Sequence, residues 1–195
     1  MFFRNLTPKQ GVTLEVTLTE VHLPVKMGHR DAAKIFAEPL KAQLAAAGLG
    51  SVLDCRLRCR ASGDVIGVEL SLGLTDPSLS AQRTIARMLE YLAAPCGSSI
   101  RIVDGVDDPV IFGVTEGLEL SIGSDNAPDA DARRDLAMTC KSAMEHLGVS
   151  RGWVEKQGRT HFYFYGESFV DMRQSLARIL KDHPRYGHAT LRRMA

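Results

Sequence analysis

The sequence contains no unbroken apolar stretch of the roughly 20 residues that a helix needs to cross a bilayer, so no membrane partner is expected. Met1-Phe2-Phe3-Arg4 does not open the long apolar core and cleavage site of a secretion signal, and the expectation is a cytoplasmic protein. Cysteine is scarce, at four residues, and none forms a Cys-x-x-Cys knuckle. Cys55 and Cys59 stand four apart on one apparent strand, which turns both toward the same core face as thiols and not as zinc ligands. Cys96, in a Gly/Ser loop, has no base at a spacing that nominates a nucleophile. An excess of one charge is also missing. With 24 basic and 23 acidic residues the formal net charge is +1, which gives no general reason to expect nucleic acid.

Other chemistry is excluded on similar grounds. His183 and His188 flank Pro184 and Gly187, so no helix turn brings them together as metal ligands, and His146 sits near a helix C-terminus, where the dipole favours a cation. Asp107-Asp108 and the group Asp125, Asp129 and Asp131 occupy turn and capping contexts. Gly63 with Gly67, or Gly113 with Gly117, makes no strand-to-helix phosphate fingerprint. No catalytic residue, metal ligand or cofactor is therefore assigned, and the chain is read as a non-enzyme.

What is present is a duplicated pattern. In the first copy Val12, Leu14, Val16 and Leu18 alternate as a strand, Asp31 starts a helix through Ile35, Leu40 and Leu44, and Gly48 ends it. Leu53, Cys55, Leu57 and Cys59 then alternate with Asp54, Arg56 and Arg58. The turn Ala61 to Asp64 leads back into Ile66, Val68, Leu70 and Leu72, and a helix follows with Ile85, Met88, Leu89 and Leu92 on one stripe. Pro39 interrupts the first helix, which either kinks there or starts there.

In the second copy Leu118, Leu120 and Ile122 form the strand, residues 123–129 cap a helix carrying Leu136, Cys140, Met144 and Leu147, and Gly148 closes it. A hairpin joins Trp153–Glu155 to Thr160–Tyr165, and Ser168 caps a helix with Met172, Leu176 and Leu180 inward. Outside the scheme lie a short strand at Ile100, Ile102 and Val103, a linker, and a basic tail over 183–195. The expected class is α+β: two tandem strand-helix-strand-strand-helix units of ferredoxin-like type, with helices on one face of each sheet. The boundaries are 1–104 for the first repeat, 105–113 for the linker and 114–195 for the second repeat.

Alternation puts Phe162 and Phe164 on the core side and His161, Tyr163 and Tyr165 opposite. Trp153 and Glu155, flanking Val154 on the neighbouring strand, are expected to share that opposite side, making an aromatic platform suited to recognition. The equivalent face of the first copy presents Arg56 and Arg58 among acids. The partner-binding candidates are thus Trp153, Glu155, His161, Tyr163, Tyr165, Arg56 and Arg58. The competing arrangement has the two copies pack sheet to sheet and hide these rings.

The stretch Leu44 to Val52 with its hairpin, Pro95-Cys96-Gly97-Ser98, and His161 to Phe169 before an amphipathic helix resemble small bacterial immunity proteins of polymorphic toxins. The resemblance implies a cytoplasmic binder that neutralises a cognate toxin. Alternatives from other classes are a small-molecule or peptide-binding regulatory domain using a cleft between the copies, and a homodimeric structural module.

Overall fold

The computed structural model describes residues 15–123, 130–182, 186 and 188–194. Its contacts divide the chain into Met1–Gly113 and Val114–Ala195.

The first unit runs β1 (Thr17–Leu23), α1 (His29–Ala32), a π-helical stretch (Ala33–Ala37), α2 (Glu38–Ala47), β2 (Gly50–Cys59), β3 (Val65–Leu74), α3 (Leu79–Tyr91), β4 (Ser98–Ile102) and β5 (Val110–Phe112). Its sheet has the order β2-β3-β1-β4-β5 with antiparallel neighbours. The first strand and the hairpin were expected, but the first strand is displaced. The predicted residues Val12 and Leu14 lie outside the described residues, and β1 begins only at Thr17. Within it the buried set is Thr19, Val21 and Leu23, so Leu18 faces away from the core formed by these side chains. The apolar alternation of Val16 and Leu18 is real, but it belongs to the opposite face, where both lie beside Gly73.

Pro39 lies in the first turn of α2, so the regular α-helix starts beside it, as one of the two expected alternatives had it. The π-helical stretch ends two residues before it, at Ala37, and widening the hydrogen-bond register there accommodates a residue with no N–H and a ring that crowds the preceding turn. Gly48 ends α2 in the left-handed region at φ 66°, as anticipated. Phe36, Leu40, Leu44, Ile85 and Leu89 are fully buried together with Val21, Leu70, Leu72 and Ile100, which places the helices on one side of the sheet. Val110–Phe112, expected in the linker, is an edge strand bonded to β4.

The second unit runs β6 (Glu116–Ile122), α4 (Ala130–Ala143), β7 (Gly148–Lys156), β8 (Arg159–Gly166), α5 (Phe169–Asp182) and β9 (Thr190–Met194). The order β7-β8-β6-β9 is that of β2-β3-β1-β4, again all antiparallel. Each unit is therefore a ferredoxin-like α+β fold, with the second crossover returning a fourth strand beside the first. The second copy has one strand more than expected, because Thr190–Met194, within the predicted basic tail, pairs with β6. The predicted cap over 124–129, and His183 and Pro184, lie outside the described residues.

Leu118, Leu120, Phe162 and Phe164 pack with Leu136, Cys140, Met172 and Leu176 into one buried cluster, and Ser168 Oγ accepts from the Asp171 amide at 3.2 Å as the predicted N-cap. Gly148 does not close α4. It is the first residue of β7, facing Gly166, where a Cβ would come 2.5 Å from the Tyr165 carbonyl oxygen. Its counterpart in the first unit is Gly50, whose Cβ would meet the Gly73 carbonyl at 2.0 Å. Both hairpins thus need a side-chain-free residue where the chain enters the sheet.

Candidate functional site: the open sheet faces

Directly opposed residues of antiparallel strands project to the same side, so the registers assign every side chain either to the helix-covered face or to the face turned away from that sheet's own helices, the open face. In the first sheet the open face carries Glu20, His22, Arg56, Arg58, Glu69 and Arg101. A ladder of charges crosses four strands there. Arg101 Nη2 lies 2.5 Å from Glu20, Arg56 lies 3.7 Å from the same carboxylate, and Arg56 Nε donates to Glu69 at 2.9 Å. These glutamates, through the hydrogen bond and charge of Glu69 above all, raise the Arg56 pKa further. Arg58 is exposed opposite Gly67. There the His22 ring occupies the space a side chain would take, since a Cβ on Gly67 would meet His22 Cε1 at 2.6 Å. Burial, and then the charge of Arg58, lower the His22 pKa against an opposing pull from Glu69.

The second sheet repeats the centre of this arrangement. Glu119 on β6 occupies the register position of Glu20 on β1, and Arg192 on β9 that of Arg101 on β4. Arg192 Nη2 lies 3.0 Å from Glu119 Oε2, while His161 Nδ1 shares a hydrogen bond of 2.9 Å with Glu119 Oε1. Glu119 is buried, and an ionised carboxylate in that position requires such partners. Arg159 Nε donates to Ser121 Oγ at 2.8 Å on the same face. Neither glutamate was singled out from the sequence. The available signal was an acid at the centre of an apolar strand in both copies, Thr-Glu-Val and Leu-Glu-Leu.

The predicted aromatic platform is divided. His161, Tyr163 and Tyr165 do occupy the open face, opposite Ser121, Glu119 and Gly117. Trp153 and Glu155 are on the other side, opposite Phe162 and Thr160. The reason is a β-bulge: Ser150 pairs with Phe164 and Trp153 with Phe162, so β7 spends one extra residue between them, with Gly152 at φ 103°. An inserted residue inverts every later side chain. Arg133 of α4 meets the inverted pair, its guanidinium 5.1 Å from the Trp153 ring and paired with Glu155. A bulge at the corresponding place in β2, around Leu53, shows that both copies share the device.

Tyr165 is a second correction. It is only 1% exposed and lies against Gly117 and Met194, so it is a packing residue and not an accessible contact. The paired position in the first unit inverts the sizes, with Leu18 on the first strand and Gly73 on the third. Tyr163 and His161 are half-buried, whereas Arg56, Arg58, Trp153 and Glu155 are exposed. Cys59 is exposed as well, contrary to the shared core face expected for it and Cys55.

Among the described residues no group of three or more His, Cys, Asp or Glu is placed to hold a metal ion, and no helix is long and apolar enough to cross a membrane.

No family model matches the chain, and no curated protein does. Among solved structures, one described as a glycine cleavage system transcriptional repressor is similar over 92% of this chain and 96% of its own, with 8% identity and a TM-score of 0.32. A mutant chlorite dismutase from Candidatus Nitrospira defluvii is similar over 93% and 92%, with 15% identity and a TM-score of 0.29. The strand order and register of the two sheets define the ferredoxin-like fold.

Proposed function

We propose that this chain is a protein-binding module without chemistry of its own, and that it neutralises a cognate bacterial toxin by covering it. The observation that supports the binding reading is the open face of the first sheet, where Arg56, Arg58 and Arg101 reach solvent while acids hold two of them in place. Ordered, partly solvated charges of this kind speed association and select partners more than they stabilise a fold. The toxin as partner rests on the resemblance of the hairpin and the His161–Phe169 stretch to immunity proteins.

Affinity capture with the full chain from its native host is expected to retain one stoichiometric protein, and co-expression of the two is expected to relieve growth inhibition caused by that protein alone. A captured protein that is harmless when expressed alone would remove the toxin reading, and no stoichiometric protein at all would remove the binding reading.

A further inference from the structure

The charges of both open faces are layered. On the first sheet the side chains of Glu20 and Glu69 are recessed at 26% and 27% exposure, while Arg101 and Arg56, which they hold, stand at 62% and 53%. The second sheet repeats the layering at the equivalent pair, with Glu119 at 5% beneath Arg192 at 69%. A guanidinium presents five N–H donors in a rigid fork, more than an underlying carboxylate oxygen engages. The acid therefore orients the fork and leaves it donor capacity toward solvent, with part of the ordering entropy of a long side chain already lost in the free protein.

We propose that these oriented forks, Arg56 and Arg101 on the first sheet and, by itself, Arg192 on the second, are receptors for carboxylates of an acidic partner protein. This rests on the reading of the chain as a protein-binding module and adds the chemistry of what it binds. Charge and geometry favour an acidic protein over nucleic acid. A phosphate backbone is held by runs of uncompensated cations, whereas each of these arginines stands over a glutamate, so attraction is confined to discrete points at which a planar carboxylate matches the fork. The glutamate–arginine pair recurs at one register position of both faces, which otherwise differ in their side chains.

The test uses the purified full chain and a fluorescein-labelled peptide of alternating glutamate and glycine, with its glutamine counterpart and a single-stranded oligonucleotide as competitors. The acidic peptide is expected to bind and the glutamine peptide to compete poorly. Arg101→Lys and Arg56→Lys, which keep the charge and lose the fork, are each expected to weaken binding roughly tenfold, the effect of one lost charge-assisted hydrogen bond, with unchanged thermal melting. Equal competition by the two peptides, tighter binding of the oligonucleotide, or lysine variants that bind like the parent chain would each overturn the assignment. A natural partner captured from the host with affinity indifferent to both lysine variants would overturn it too, while protein binding itself would stand.

Discussion

Substituting Arg133 by Met keeps a long apolar stem at the edge of the second sheet and removes the cation that lies 5.1 Å over the Trp153 ring. Such a contact contributes about 0.5–1 kcal/mol at a partly exposed site. The Arg133–Glu155 pair adds at most a few tenths of a kcal/mol, because Glu155 is 53% exposed and water screens it. Arg133→Met is therefore expected to destabilise the chain by about 1 kcal/mol. A double-mutant cycle with Trp153→Leu should return a coupling of about 0.5–1 kcal/mol by urea denaturation followed with circular dichroism. The same cycle run between Trp153 and Tyr163 should return a coupling near zero, because the bulge puts those rings on opposite sides of the sheet. Trp153 is the only tryptophan, so its fluorescence supplies an independent readout: emission should shift on Arg133→Met and stay unchanged on Tyr163→Leu. Stronger coupling of Trp153 to Tyr163 than to Arg133 would refute the bulge and restore a single aromatic platform.

Leu176→Ala, in the buried cluster of the second unit, should cost about 2–5 kcal/mol through the cavity it leaves, measured as a drop in denaturation midpoint; unchanged stability would mean that α5 faces the other way. His22 has a folded pKa depressed below 6.5, so the unfolded chain binds its proton first and the neutral ring contributes stability fully above pH 6.5; that contribution should fall away as pH drops from 6.5 toward the lower folded value, and His22→Gln should flatten the stability profile in that window. A thiol reagent should modify exposed Cys59 and Cys96 in the native protein, Cys55 more slowly because burial raises its pKa, and Cys140, buried and pushed up to about 12, only on unfolding; mass spectrometry of the labelled peptides decides the order.

Both hairpins, the N-cap at Ser168 and the inward phenylalanines were legible because each depends on local rules, either alternation along one strand or a single capping bond. Position along β1 was not legible, since Val16 and Leu18 alternate as cleanly as Thr19, Val21 and Leu23 but serve the opposite face. The partner-binding candidates divided for a related reason. Alternation within β8 placed His161 and Tyr163 correctly, but carrying the pattern across to β7 assumed an unbroken register, and the extra residue at Gly152 reversed Trp153 and Glu155.

The duplicated α+β order follows from local pattern alone, because hydrophobic period and turn residues act over a few neighbours and need no distant partner. The fourth strand of the second sheet and the charge pairs on both open faces exist only through contacts between distant parts of the chain. Thr190–Met194 is a strand only because β6 offers it backbone partners, and Glu20 meets Arg101 only because a helical crossover brings together positions far apart in the chain. Contacts of that range leave no periodicity to read.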